Sequence, residues 1–202
     1  FVGHPLANEI PLKSNINKYR KVLKLNRDEL VIALLPGSRV GELKAHTDTL
    51  LETAHNLFEV YPDAKFLIPA TNDKNVNFIK GRIRNNPTKN IKLIKGKVDE
   101  ILSSVNIAIA ASGTASLQIA LHKKPMIIIY KGSWISYFIW KMVRLIPYVS
   151  LPNILLNENF VPEMLQHRAT PNLLSKKACE IIKDEKYSKK IESKFNKLHK
   201  DL

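Results

Sequence analysis

A single cysteine, Cys179, stands among 202 residues. No intrachain disulfide and no cysteine-built metal cage is therefore open to this chain, and the usage fits a reducing compartment. Cys179 itself reads as a core or helix-face residue. Nowhere is there the run of about 18 apolar residues that a spanning helix needs. The most hydrophobic region, Trp134 to Ile154, is broken by Lys141, Arg144, Pro147 and Pro152. The first residues, Phe1-Val2-Gly3-His4-Pro5, lack a basic segment followed by an apolar one, and lack an initiating Met; they read as a start inside a longer protein rather than as a leader. Acidic residues are scarce, 18 against 32 Lys and Arg, for a net charge of +14. Such a field favours polyanions, whether nucleic acid, anionic lipid headgroups or phosphorylated small molecules. Much of it comes from Lys spread through a sequence also rich in Asn and Ile, so part is read as compositional bias. Aromatics make up only 7% and do not interleave with basic residues as a specific nucleic-acid binder requires. No internal repeat and no low-complexity tract is present.

What the chain does have is 45% hydrophobic content, enough for one domain of ordinary size. Residues Phe1 to Lys13, punctuated by Gly3, Pro5 and Pro11, read as a connector. Val31-Ile32-Ala33-Leu34-Leu35 is a continuous apolar run, the signature of a strand buried on both faces. Pro36-Gly37-Ser38-Arg39 follows, then Glu42 and a helical pattern through Leu50, Leu51, Ala54, Leu57, Phe58 and Tyr61 that ends at Pro62. The alternation continues: strand Lys65 to Pro69, helix Asn75 to Arg84, strand Ile91 to Ile94, short helix Val98 to Ser104, strand Val105 to Ala110, helix Thr114 to His122, strand Pro125 to Tyr130. Strands and helices in that order predict a Rossmann-like, doubly wound α/β parallel sheet, in which ligands sit at the carboxyl ends of the strands. Beyond it, Trp134 to Leu145 reads as a helix with two cations near its end, either lying on a membrane surface or buried at an interface. Tyr148 to Leu155 reads as a short strand feeding a loop, and Val161 to Gln166 as a Pro-started helical turn. Pro171 to Ile182 and the amphipathic, charged stretch from Tyr187 to Leu202 are read as helices.

Two strand-turn-helix junctions carry the chemistry. Ala110-Ala-Ser-Gly-Thr-Ala-Ser-Leu-Gln-Ile-Ala-Leu121 puts Gly113 at a helix start, where free backbone N–H groups and the hydroxyls of Ser112, Thr114 and Ser116 can hold a diphosphate without a metal. Pro36-Gly37-Ser38-Arg39 repeats the geometry and adds a guanidinium for phosphate oxygens. An ordinary capped turn at the first junction, and a solvated Arg39 or an Arg39–Glu42 pair at the second, are the plainer alternatives.

Leu35-Pro36-Gly37-Ser38-Arg39 with Glu42, Ser112-Gly113-Thr114-Ala115-Ser116-Leu117, Tyr148-Val149-Ser150-Leu151-Pro152-Asn153 and Val161-Pro162-Glu163-Met164-Leu165-Gln166 together resemble lipid-A-disaccharide synthase. The similarity runs from Phe1-Val2-Gly3-His4-Pro5, which resembles that family's interdomain connector, to near the end of the chain. It implies the carboxyl-terminal, donor-binding domain of a two-domain GT-B glycosyltransferase: a connector over 1–13, the donor domain over 14–183 and an amphipathic helix over 184–202. The family's acceptor-binding half, expected to supply the general base, is not in this sequence, so a fragment, a split-gene product, an isolated domain or a decaying copy is expected. The implied reaction is inverting transfer of a 2,3-diacylglucosamine unit from UDP to a 2,3-diacylglucosamine 1-phosphate, giving lipid A disaccharide and UDP. No metal and no cofactor enters it.

Residue by residue, the resemblance assigns Ser112, Gly113, Thr114 and Ala115 to the diphosphate. Arg39 becomes the catalytic cation that balances charge on the leaving UDP, with Gly37 and Ser38 lining the same cleft. Gly96, Lys97 and Val98 are placed at the uracil edge, and Asn153 and Gln166 at the sugar or the domain interface, as is Glu163 unless it is a surface carboxylate. His4 reads as a loop histidine. GT-B enzymes of this kind usually carry Glu where this chain has Gln118, to accept hydrogen bonds from the ribose. An amide oxygen still accepts but is uncharged, a loss of about 1 kcal/mol. Expected partners are UDP-diacylglucosamine, the acceptor glycolipid held by the other half, the cytoplasmic face of the inner membrane, where the enzyme would be peripheral, and a second copy of the chain; no specific nucleic acid is expected. A UDP-sugar 2-epimerase domain, and a non-catalytic basic module for lipid or RNA, remain as alternatives.

Overall fold

The computed structural model describes residues 5–132 and 147–202. Two short helices, α1 (Pro5–Glu9) and α2 (Ile16–Val22), precede a regular alternation. This runs β1 (Val31–Leu35), α3 (Val40–Val60), β2 (Lys65–Ala70), α4 (Asp73–Ile83), β3 (Ile91–Lys95), α5 (Val98–Ser104), β4 (Ile107–Ala111), α6 (Thr114–Leu121) and β5 (Met126–Tyr130). After the undescribed segment come α7 (Leu151–Leu156), β6 (Glu163–Leu165), a 3₁₀ turn (Gln166–Arg168), α8 (Pro171–Lys183) and α9 (Glu185–Asp201). The six strands among the described residues lie parallel in the order β3-β2-β1-β4-β5-β6. This is the doubly wound arrangement that the alternation predicts.

Period-two alternation divides the strand side chains between two layers. Ile32, Leu34, Ile107, Ile109, Ile127 and Ile129 face one side, packed by Leu43, Leu50, Ala54 and Leu57 of α3 and Leu174, Ala178 and Ile181 of α8. Val31, Ala33, Leu35, Ala108 and Ala110 face the other, packed by Ile101 of α5, Ile119 of α6, and Ile191, Phe195 and Leu198 of α9. The charged carboxyl-terminal helix thus belongs to the core through its apolar stripe. Beneath the sheet, buried Arg20 of α2 donates to Ser104 O (2.9 Å), Asn26 O (3.2 Å), Arg27 O and Asn106 Oδ1 (2.9 Å), while Asn106 Oδ1 also accepts from Val31 N (2.8 Å). One guanidinium therefore aligns the starts of β1 and β4.

Several local expectations are corrected. Within the stretch read as a connector, residues 5–9 form a helix, which that reading did not specify, and Ile10 is buried against Leu117 and Leu121 of α6. Tyr148 to Leu155 is not a strand: helix α7 occupies Leu151–Leu156, because Pro152 fits a first helical turn and the Glu163 carboxylate takes the N–H groups of Val149 (3.0 Å) and Ser150 (2.9 Å). Val161 to Gln166 is not a helical turn either. Ile128 N donates to Pro162 O (2.9 Å) and Glu163–Leu165 adds a sixth strand beside β5, a tertiary pairing that local pattern does not encode. The helix expected over Trp134 to Leu145 lies outside the described residues.

Candidate functional site

Strand order reverses between β1 and β4, whose registers align Leu35 with Ala110. Crossovers leave this point in opposite directions, so a crevice opens at the carboxyl ends of the two strands. A cleft of about 310 Å³ is found there, bounded by both junction turns together with Pro69, Thr71, Val98 and Gln118. Arg39 and Gly113 both line it.

The turn after β1 is closed by its own anion. Glu42 Oε2 accepts from the backbone N–H of Ser38 (2.9 Å) and Arg39 (3.3 Å), capping α3. Gly37 is required for this, since its φ is +105° and a Cβ there would meet the Glu42 Cβ at 2.6 Å and Oε2 closer still. The Arg39 guanidinium stands 3.4 Å from Glu42 Oε1 with its side chain 86% exposed. It is held loosely and can reach into the cleft. Asn75, buried on α4, donates to Ser38 O (2.9 Å) and Thr71 Oγ1 (2.8 Å) and ties the turn to β2.

The turn after β4 is open. Gly113 has φ 155° and ψ −164°, a conformation essentially reserved for glycine, and nothing lies within 4 Å of where its Cβ would be. The N–H groups of Gly113, Thr114 and Ala115 meet no acceptor among the described residues, as expected of a helix start. The hydroxyls are a different matter. Ser112 donates its Oγ–H to Val149 O (2.8 Å), and Ser116 Oγ donates to Gly113 O (2.7 Å) while accepting from Leu151 N (3.3 Å). Both are committed to holding the turn in shape, which leaves the amides and the Thr114 hydroxyl for a ligand. One end of the cleft therefore offers free donors and the other an exposed cation already balanced by Glu42.

The remaining expected residues are placed differently. Of Gly96, Lys97 and Val98, only Val98 lines the cleft; the other two form the bend that sets its position. Asn153 does not face the cleft. It is fully buried, with Nδ2 donating to Val161 O (2.9 Å) and Glu163 Oε1 (2.8 Å), and Oδ1 accepting from Phe160 N (3.0 Å) and Val161 N (2.8 Å). Gln166 exchanges hydrogen bonds with the backbone of Gly132, at 3.3 and 3.2 Å. Both donors and both lone pairs of the Asn153 amide are used internally, while each polar atom of the Gln166 amide has one internal partner. Glu163 joins the Tyr148–Asn153 and Val161–Gln166 motifs, and Ser112 links that lock to the open turn. His4 lies outside the described residues.

Two residues escape sequence reading because nothing in their local spacing marks them. His46 is buried on α3, where its Nδ1–H meets Pro36 O (3.2 Å) and its Nε2 accepts from Lys131 N (3.0 Å). It joins the first turn to the end of β5, and burial holds its imidazole below the ordinary pKa. Asp99, on α5, receives Gln118 Nε2–H at 2.9 Å. Only the fold brings α5 and α6 side by side.

Comparison with known proteins agrees with this geometry. The whole chain, residues 1–202, matches the family model for lipid-A-disaccharide synthetase. It is 36% identical over 204 residues to the lipid-A-disaccharide synthase of Methylobacillus flagellatus, covering all of this chain and 54% of that protein. The chain spans about half the length of the curated relatives it matches. Among solved structures, the carboxyl-terminal domain of a group 1 glycosyl transferase from Francisella tularensis superposes with a TM-score of 0.67 at 13% identity, over 96% of both chains. The UDP-GlcNAc 2-epimerase of Neisseria meningitidis, bound to UDP-GlcNAc, does so with a TM-score of 0.59 at 14% identity, over 92% of this chain and 47% of that one. At such identities the structures speak for the fold, that of a glycosyltransferase carboxyl-terminal domain, while the full-length match decides the lineage: the chain belongs to the lipid-A-disaccharide synthetase family.

Proposed function

We propose that this chain is the donor half of a lipid-A-disaccharide synthase and holds the diphosphate of a UDP-linked diacylglucosamine in the cleft between β1 and β4. The observation that carries the reading is the unoccupied row of N–H groups at Gly113, Thr114 and Ala115, facing the same space as Arg39. Backbone donors at a helix start bind phosphate oxygens directly, and the helix dipole favours the anion. During transfer an acceptor hydroxyl attacks the anomeric carbon, the bond from that carbon to the diphosphate oxygen breaks, and negative charge grows on the departing UDP. The open amides stabilise that charge, and Arg39 adds to them by leaving Glu42 for the β-phosphate. Donors already aimed at the developing charge are the economical way to lower such a barrier. Ser112 and Ser116 act indirectly by fixing the turn. The acceptor glycolipid and the general base that deprotonates it belong to the amino-terminal half, and the two halves work at the inner membrane surface. No helix among the described residues is long and apolar enough to cross a membrane.

Calorimetric titration of UDP into the 202-residue chain tests the reading. Weak, saturable binding is expected at 50 mM and 200 mM salt with little change between them, because a formed pocket is less salt-sensitive than a diffuse basic surface. A fall of several powers of ten over that range would mark nonspecific polyanion binding instead. Arg39→Ala should weaken UDP about tenfold, the scale of a lost charge-assisted hydrogen bond, and leave thermal unfolding unchanged because the side chain is so exposed. The chain alone should make no disaccharide. Disaccharide formation by it would refute the division of labour, and unchanged affinity in Arg39→Ala would remove Arg39 from the site. UDP-sugar turnover without a lipid acceptor would favour epimerase chemistry.

A further inference from the structure

A chain of polar groups runs from the interior to the cleft wall. Ser103, buried on α5, lies 3.1 Å from Nδ1 of His122. His122, whose side chain is 2% exposed, presents Nε2 to Asp99 Oδ1 at 2.8 Å. The same carboxylate oxygen receives Gln118 Nε2 at 2.9 Å. The direction of each bond follows once burial, which holds the His122 pKa below its ordinary value, keeps the ring neutral. A carboxylate only accepts, so His122 carries its proton on Nε2 and accepts the Ser103 hydroxyl at Nδ1, and Gln118 turns its NH₂ toward Asp99. The amide oxygen must then point the other way. Gln118 lines the cleft, and its Oε1 meets no donor among the described residues. It stands one helical turn, about 6 Å, along α6 from Thr114, which matches the reach from a diphosphate to the hydroxyls of the adjoining nucleoside sugar.

We infer that Asp99 is a positioning residue, anchored by His122, that locks the Gln118 amide so that the cleft presents a hydrogen-bond acceptor to the vicinal hydroxyls of the bound nucleotide. The inference rests on the nucleotide reading of the cleft. Without Asp99 the amide rotates, and its two faces, one donor and one acceptor, compete for the ligand. The same geometry makes a carboxylate at position 118 unfavourable here, since it would stand against the Asp99 carboxylate at hydrogen-bond distance. Charge at position 118 therefore weakens this particular cleft unless Asp99 is neutralised as well.

The test compares UDP with 2′,3′-dideoxy-UDP on the 202-residue chain, with circular dichroism of each variant to establish folding. The unaltered chain should prefer UDP about five- to tenfold, the worth of one hydrogen bond. Asp99→Ala should reduce the preference to about one. Asp99→Asn should keep most of it, because the Asn carbonyl still accepts from both Gln118 and His122. Gln118→Glu should bind UDP more weakly than the unaltered chain, and Gln118→Glu combined with Asp99→Asn should recover that loss. Should Asp99→Ala fail to fold, the comparison of the two Gln118→Glu chains decides alone. An undiminished preference in folded Asp99→Ala, or tighter UDP binding by Gln118→Glu with Asp99 intact, overturns the inference while leaving the nucleotide reading in place. Failure of the unaltered chain to bind UDP at all overturns both.

Discussion

Replacing Gly37 with alanine should damage the first turn far more than the same replacement at Gly113 damages the second, and the structure allows the difference to be worked out. Both glycines hold a backbone conformation that L-residues resist, with φ of +105° and +155°, a strain of about 1–3 kcal/mol each. At Gly113 the added methyl enters open space, and the strain is the whole cost. At Gly37 it would stand 2.6 Å from the Glu42 Cβ and closer to the carboxylate, so Glu42 must move. Its cap on Ser38 N and Arg39 N is then lost, adding about 0.5–2 kcal/mol. Gly37→Ala should therefore cost about 1.5–5 kcal/mol in all, and for a chain of this size each kcal/mol lowers Tm by about 2–4 °C. Thermal unfolding followed by circular dichroism should place Gly37→Ala lowest, Gly113→Ala between, and the unaltered chain highest. UDP affinity should rank differently, with Gly113→Ala affected directly because relief of the strain turns the peptide N–H and the added methyl enters the cleft. A Gly37→Ala chain as stable as Gly113→Ala would mean that Glu42 does not hold the turn, and the description of a self-closed first turn would fall.

The other expectations concern groups away from the cradle. His46 and His122 are both kept below the ordinary histidine pKa, chiefly by burial, so the unfolded chain takes up protons that the folded one refuses. Stability should be fully present above about pH 6.5 and fall as pH drops below it; denaturant midpoints at pH 7.5 and pH 5 measure this, and a His46→Gln chain with an equally steep decline would exclude His46 as a source. Asn153→Ala strands the N–H groups of Phe160 and Val161 in the core and should cost about 2–4 kcal/mol in urea unfolding. A stability loss under 0.5 kcal/mol combined with weaker UDP binding would instead return Asn153 to the ligand.

Much of the architecture was legible because a parallel sheet covered on both faces writes itself as uninterrupted apolar strands. Val31–Leu35 and Met126–Tyr130 could hardly be anything else. The turns were legible for a similar reason, since Gly37 and Gly113 follow strands and precede helices, the one place where backbone donors gather. Expectation failed where a segment's conformation depends on a distant neighbour. Glu163–Leu165 becomes a strand because β5 offers it an open edge, and Leu151–Leu156 becomes a helix with Glu163 and Ser116 bonded at its start. In the site, Ser112 and Ser116 stand at the turn after β4, where they were expected to offer hydroxyls to a ligand, but those hydroxyls serve the turn itself.

From the order of residues alone came the layered α/β class, the position of the cleft at the strand ends, the family resemblance and the pairing of a glycine-led helix start with Arg39. These depend on periodicity, on glycine's conformational range and on motif, which are properties of neighbours along the chain. Tertiary structure alone decided which polar atoms remain free. It spent Asn153 and Gln166 on internal backbone, set Glu42 over one helix start and left the other bare, and brought Asp99 against Gln118. Hydrogen-bonding capacity is shared among all groups that meet in space, so its surplus becomes visible only once the chain has folded.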